Sequence, residues 1–430
     1  MADSLIDGLA ALRRLLREAP PLQSGLTQLH ITLPVRHDHT ILPWLASQQI
    51  WPQFYWQQRD ARDEIMALGA CQTFGSMAQA TRFQRHYPQA VICGLNAFDA
   101  ASGQLFLPRL LWHRTRQGIS LTLNILASQQ NAPGADTLAF LESLHHGQPL
   151  RKFNAHIRAE TQLPERPDWT SLIQRATEAI GRGEMAKVVL ARASDILCED
   201  APLPTALLEA SRRVNAGCYH FLMAFDAHSA FLGSSPECLW RREGRALYTE
   251  ALAGTVAAGV NDEEARRFGD WLLQDEKNRR ENHLVVEDIC QRLQGEADAI
   301  RVAAPEILRL RNVQHLRCAI EAILHQPDDL ICQRRLQPTA AVAGLPRDTA
   351  RAFIKRYEPF EREWYAGSCG WFSAERAEFC VSLRSASVCD NRVRLYAGAG
   401  IVAGSQPDQE WQEIDNKVDG LRSLFFGDAV

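Results

Sequence analysis

Between Tyr219 and Gly254 the chain sets down four short apolar runs in close succession, "YHFLMAF", "SAFLGS", "CLWRR" and "ALYTEALAG", with turns between them. From Asn261 to about Leu293 its character changes. This stretch holds no proline and one glycine, and it predicts one long helix or two in tandem. Strand clusters interleaved with long helices predict a mixed α+β fold, in which large sheets are covered by helices.

The same alternation continues on both sides. "QLHITLPV", "QFYWQQR" and "ISLTLNIL" are strand-like runs in the first 150 residues, behind an N-terminal amphipathic stretch, "MADSLIDGLAALRRLLREAP". That stretch lacks the basic start and apolar core of a secretion signal. The segment from Gln148 to Trp169 is polar, punctuated by proline and without clear period, as a connector is. A helix follows, with Asp168 or Thr170 as its cap and Gly183 just past its end, and then the strand "KVVLARAS". Near the C-terminus "EFCVSLRSASV" and "RVRLYAGAG" read as a hairpin joined near "CDN", and a last helix spans about Pro407 to Phe426.

Bulk properties exclude several functions. With 46% hydrophobic and 23% charged residues the chain has ample core for a globular protein. A formal charge of −4 gives no electrostatic case for nucleic acid or an anionic membrane. No apolar run approaches the length that spans a bilayer. The eleven cysteines are scattered with no C-x-x-C pair, so zinc and dithiol redox motifs are unsupported, and buried thiols in a reducing cytoplasm are expected.

Chemistry concentrates in a few places. In "AGAGIVAGSQPDQEWQEIDNK" a strand feeds a glycine turn and then a helix with Glu410, Glu413 and Lys417 on one face. Gly398, Gly400 and Ala403 fit the dinucleotide fingerprint, but the helix opens too late and no second parallel strand follows, so that match is rejected. The glycines can still bring backbone amides close to an anion. The competing reading is a tight turn before a solvated helix bearing an ordinary i,i+4 pair, Glu413 with Lys417. Alternation in "EFCVSLRSA" puts Arg384 on one strand face with Cys380, Ser382 and Ala386, where its fork has room for a carboxylate. On the long helical run Glu281, Leu284 and Asp288 share a line with Glu287 beside it; a carboxylate there could join Glu413 around a hard cation, or the face is simply wet. Lys187 opens an apolar strand that would desolvate it and make it a base, unless it snorkels to solvent. Glu237 follows Ser-Ser-Pro in a rigid turn and could donate a proton, although loop glutamates are commonly solvated.

Taken together in order, "KVVLARA", "FLGSSPECL", "ALAGT", "ENHLVVEDI", "NVQHL", "QPTAAVAGLPR", "FCVSLRSA" and "YAGAGIVAGSQPDQEWQEIDNK" resemble the chorismate-utilising enzymes. That family includes anthranilate synthase large subunits, aminodeoxychorismate synthases, salicylate synthases and isochorismate synthases, and the likeness runs from about Thr170 to Phe425. A lysine before "VVLAR" is similar to members whose nucleophile is water; members using ammonia typically carry glutamine there. In the N-terminal half, "WLASQQIWPQFYWQQRD" and "GLNAFD" resemble the menaquinone-pathway isochorismate synthase branch. Ala251 and Gln337 depart from the wider family pattern, which often has proline and histidine.

The resemblance implies one α+β body of two large, mainly antiparallel sheets packed together with helices outside. Residues 1–165 would form an N-terminal part of that body and residues 166–430 the chorismate-binding catalytic region. It implies Mg²⁺ held by Glu281 and Glu413, with Arg384, Gly398, Gly400, Lys417, Gly254, Thr255 and His315 receiving the substrate. Lys187 would be the base and Glu237 the acid in converting chorismate to isochorismate. The alternatives it leaves are a salicylate synthase acting through isochorismate and an isochorismate synthase serving siderophore production. A cytoplasmic enzyme acting on a small molecule, with no nucleic acid, no membrane and no obligate partner subunit, is the accompanying expectation.

Overall fold

The computed structural model describes residues 2–20, 24–33, 41–127 and 133–426. Its first part holds α1 (Ala2–Glu18), β1 (Gly25–Leu33), α2 (Leu42–Ala46), β2 (Gln53–Gln57), β3 (Glu64–Phe74), α3 (Met77–His86), β4 (Ile92–Asn96), β5 (Gly103–Thr115), β6 (Gly118–Ala127) and α4 (Pro133–Glu142). Next come β7 (Ile157–Leu163), α5 (Arg166–Gly181), β8 (Lys187–Cys198), α6 (Pro204–Val214), β9 (Tyr219–Ala224), β10 (Ser229–Ser235), β11 (Cys238–Glu243), β12 (Ala246–Ala257), α7 (Asp262–Gln274) and α8 (Glu276–Leu293). The last third holds β13 (Ala297–Val302), β14 (Glu306–Arg309), β15 (Val313–Leu324), α9 (Asp329–Leu336), β16 (Gly344–Leu345), α10 (Arg347–Tyr357), β17 (Ser368–Phe372), β18 (Arg376–Val381), β19 (Ser385–Cys389), β20 (Arg392–Ile401) and α11 (Pro407–Arg422).

All pairings among these strands are antiparallel, and they make two limbs of one hydrogen-bonded network. The first limb runs β7-β8-β20-β19-β10-β9-β2-β3-β5 and continues into β6 and β1. The second leaves β5 through β4 and runs β17-β18-β11-β12-β15, with β13 and β14 beyond. Strand β5 is the fork: its Gly103–Phe106 stretch pairs with β4, and its Leu110–Thr115 stretch pairs with β6. The two sheets expected from the sequence are these limbs.

Period-two alternation assigns the faces. On β8, Val188, Leu190 and Ile196 enter a core built with α1, α2, α5, α6, α10 and α11, while Ala191 and Ala193 enter a second core shared with the other limb and with α3, α8 and α9. On β20, Val393, Leu395, Ala397, Ala399 and Ile401 take the first side, so Tyr396, Gly398 and Gly400 take the second. Lys187 and Val189 share that second side. The chemistry therefore lies where the two limbs face each other.

Several local expectations are refined. The long helical run is two helices, broken at Asp275, whose backbone leaves the helical region and whose carboxylate accepts from the amide of Asn278. The connector contains β7, whose register against β8 is broken between Ile157 and Ala159. Helix α5 starts at Arg166 after Glu165, with Pro167 in its first turn, and Gly183 lies past its end at φ +74°. The strand expected from Gln28 leaves the described residues after Leu33. "EFCVSLRSASV" is not one strand either. β18 stops at Val381, β19 restarts at Ser385, and Arg384 between them has φ +46°. The true hairpin is β19 with β20. All eleven cysteines are free, and eight are buried. No described helix is long and apolar enough to cross a membrane.

Candidate active site

A cleft opens between the limbs. Val189 from β8 and Tyr396, Gly398 and Gly400 from β20 form one wall. Leu252, Ala253, Gly254 and Thr255 from β12 and His315 from β15 form the facing wall. Glu237, Leu383 and Arg384 arrive on connections, Glu281 from α8, and Glu413 and Lys417 from α11. Of the sequence-derived candidates, Glu237, Arg384, Gly398, Gly400, Lys417, Gly254, Thr255, His315, Glu281 and Glu413 all line it. Lys187 sits just behind.

Lys187 is fully buried, which removes the snorkelling alternative. Its ammonium lies 2.8 Å from Glu281 Oε1 and has no further hydrogen-bond partner among the described residues. Gly400 makes this meeting possible. A Cβ there would lie 3.1 Å from Lys187 Cε and far inside contact with Glu281 Oε1, so only glycine leaves room for the carboxylate. The Glu281 carboxyl would be pushed up by burial, but the ammonium groups of Lys187, Lys417 and Lys277 outweigh this and hold it low. Across the cleft Lys417 donates to Glu413 Oε1 at 2.7 Å and to the carbonyl of Gly398 at 2.9 Å.

The two glycines expected to present amides lie on a strand, β20, and not in a turn. Gly398 and Gly400 stand opposite Ala191 and Val189 of β8. The amides of those two partners donate elsewhere, to Glu358 Oε1 and to the carbonyl of Ala343. These are therefore non-hydrogen-bonded pairs, and the backbone groups of Gly398 and Gly400 point away from β8, beyond the end of β19.

Glu237 is 2% exposed, and its Oε1 has no partner among the described residues. Burial, followed by the nearby Glu250 carboxylate, pushes its pKa up to about 8, although Lys187, Lys417 and Arg59 pull the other way. At neutral pH it is therefore a carboxylic acid. His315 is the reverse case: burial, then the positive charges of Arg384 and Lys417, hold it well below its ordinary value. Arg384 Nη2 donates to His315 Nε2 at 2.7 Å, so the ring proton sits on Nδ1, 3.1 Å from Thr255 Oγ1. Thr255 and His315 are direct cross-strand partners, and Gly254 supplies the φ +85° bulge that lets them meet. With Glu237 neutral, Lys187, Lys417 and Arg384 outnumber Glu281 and Glu413, so the site favours an anion.

Glu281 and Glu413 are the two carboxylates of the cleft, besides Glu237, that could hold a cation. Among the described residues no group of three or more histidines, cysteines or acids comes together. Two hard carboxylates in one cleft suit Mg²⁺, which keeps several waters and lets the substrate complete its shell. The other acids of these helices do not reach the cleft. Glu410 is buried against Lys277 at 3.2 Å, Asp288 pairs with Arg292 at 2.6 Å, and Glu287 is exposed beside His283. Sequence reasoning missed the stacked rings of Tyr365 and Tyr396, which line the cleft 5.1 Å apart. Alternation with Gly398 and Gly400 could have placed Tyr396. Nothing local marks Tyr365, nor Asn278, whose Oδ1 accepts from the amide of Thr255.

Known proteins share this chain's sequence and fold. A family model described as "Chorismate binding enzyme" matches residues 94–425. The chain is 52% identical over 425 residues to "Isochorismate synthase MenF" of Escherichia coli (strain K12), covering 98% of this chain and 99% of the relative. It is 40% identical over 388 residues to the Haemophilus influenzae protein of the same name, covering 90% of this chain and 89% of that one. The solved structure titled "Structure and Mechanism of MenF, the Menaquinone-Specific Isochorismate Synthase from Escherichia Coli" superposes with a TM-score of 0.95 at 52% identity, covering 98% of this chain and 99% of that one.

Proposed function

The chain belongs to the chorismate-binding enzyme family, and on that premise we propose that it is an isochorismate synthase, an isomerase that converts chorismate to isochorismate as the first step toward menaquinone. One observation carries the chemistry. A buried carboxyl, Glu237, lines the cleft from the turn between β10 and β11, and a buried amine, Lys187, stands just behind its wall on β8.

Chorismate is a dianion with a ring carboxylate, an enolpyruvyl ether and a ring hydroxyl. Arg384, Lys417 and the backbone of Gly398 and Gly400 receive its carboxylates, and His315 fixes the Arg384 fork through Nε2. Lys187, once its ammonium has released a proton to solvent, takes a proton from water while the water oxygen bonds to ring carbon 2. The ring double bonds shift, the bond from carbon 4 to its hydroxyl breaks, and Glu237 protonates the departing oxygen so that it leaves as water. Atoms balance, because one water enters and one leaves. In the reverse direction the two residues exchange roles. Glu281 and Glu413 would hold Mg²⁺, which when bound supplies Lewis-acid charge beside the substrate's ring carboxylate.

The test is product identification from purified protein, chorismate and Mg²⁺. Isochorismate without pyruvate release is expected; fluorescent salicylate with pyruvate would instead make the protein a salicylate synthase. Lys187→Ala and Glu237→Gln should each lower kcat by about 10²–10⁴. Near-normal turnover in both folded variants would overturn the acid–base assignment.

A further inference from the structure

The turn that presents Glu237, Ser235 to Cys238, lies between the end of β10 and the start of β11, where the regular ladder stops. β11 is also bulged against β18 between Cys238 and Trp240. Its backbone is held on both sides of Glu237 by one pair of side chains. Arg59 Nη1 donates to the carbonyl of Pro236 at 2.8 Å. The amide of Cys238 donates to Glu250 Oε1 at 2.7 Å. Arg59 and Glu250 then grip each other through both prongs of the fork, at 2.7 and 3.0 Å. Tyr248 adds a hydroxyl bond to Glu250 Oε2 at 3.0 Å, and the Arg59 guanidinium lies over the Tyr219 ring. Four donors meet the Glu250 carboxylate, whose side chain has no exposed surface.

We propose that Arg59 and Glu250 are positioning residues for the proton donor Glu237, fixing the peptide units before and after it so that its carboxyl stays aimed into the cleft. The inference rests on the reading of Glu237 as the acid. It gives the N-terminal part of the chain a share in the chemistry, because Arg59 lies outside the residues 94–425 that the family model matches. The pair also sets the charge that Glu237 faces. Glu250 on β12 opposes its ionisation; Arg59, Lys187 on β8 and Lys417 on α11 favour it.

The experiment compares Glu250→Gln and Arg59→Lys with wild type and Glu237→Gln, measuring kcat, chorismate KM and the pH profile of kcat/KM with Mg²⁺ saturating. A misplaced acid should lower kcat by about 10- to 100-fold in both variants, with KM changed by less than about threefold. Glu250→Gln also removes a like charge, so the alkaline fall of kcat/KM should move to lower pH. Arg59→Lys keeps its charge but loses the fork, so its fall in kcat should come with the alkaline limb unmoved. A purely structural role would lower thermal stability and move neither quantity. Wild-type kcat and an unmoved limb in folded Glu250→Gln overturn the proposal. If that variant does not fold, wild-type kcat in Arg59→Lys overturns it. Undiminished turnover in Glu237→Gln would instead remove the acid assignment on which the proposal stands.

Discussion

Replacing Gly400 by alanine isolates how closely the cleft is fitted around Glu281. The backbone tolerates the change, because Gly400 is not among the residues with positive φ. The obstacle is the Glu281 carboxylate, which must withdraw by about 1 Å to regain van der Waals contact with the new methyl group. That stretches the 2.8 Å pair with Lys187 toward 4 Å. At an effective dielectric near 20, the lost attraction is about 2 kcal/mol. The alanine stiffens the unfolded chain and returns about 0.4–1 kcal/mol. The net loss of stability should be about 1 kcal/mol, a fall in Tm of no more than a few degrees in a chain of this size. Function should suffer more, because a misplacement of about 1 Å in a catalytic constellation costs about 10²-fold in rate. The assay pairs thermal melting with Mg²⁺ titrations of chorismate turnover. Gly400→Ala should melt close to wild type, turn over about 100-fold more slowly, and need about 10- to 100-fold more Mg²⁺. Wild-type turnover and Mg²⁺ response would refute the fit, as would a melting point lowered in step with the activity.

The remaining expectations are briefer. Glu237 is pushed up to about 8 in the folded protein, above its ordinary value of 4.5, so the native state keeps a proton that the unfolded chain releases. Stability therefore falls as pH rises through that window, and Glu237→Gln should melt with a shallower loss between those limits. Equal slopes for the two proteins would contradict the raised value. Treatment with EDTA should abolish turnover and added Mg²⁺ restore it, whereas Glu413→Gln should need far more Mg²⁺ for the same rate; full activity in metal-free buffer would remove the cation. Arg384→Lys keeps the charge but cannot form the fork with a carboxylate, so chorismate KM should rise by about tenfold or more. An unchanged KM would place the substrate carboxylate elsewhere.

Much of this was legible because it is local. Strand alternation, the proline-free helical run and the face carrying Glu413 and Lys417 follow from short-range geometry, and the structure preserves them. Resemblance, not spacing, supplied Gly254, Thr255 and His315, and their meaning is a register: Thr255 faces His315 only because β12 and β15 pair with a bulge at Gly254. Arg384 was found for a reason that the fold replaces, since it sits in a left-handed break and not on a strand face. Among the acids of α8, the sequence could not separate Glu281, which reaches the cleft, from Asp288, which Arg292 takes. The choice depends on which turn of the helix faces Gly400. Arg59 and Glu250 were invisible for the same reason: they are 191 positions apart and meet through the assembled limbs.

The fork at β5 bears on how the protein is made. β2 takes β9 as a neighbour, and β4 takes β17, whose Ser368 lies 272 positions after Asn96 of β4. Each early strand has one neighbour at hand, β3 for β2 and β5 for β4, but its other edge waits for a partner made much later, and contacts so distant in sequence make for slow, aggregation-exposed maturation. Nascent chains stalled before β17 should therefore stay protease-sensitive, because β4 still lacks its second neighbour.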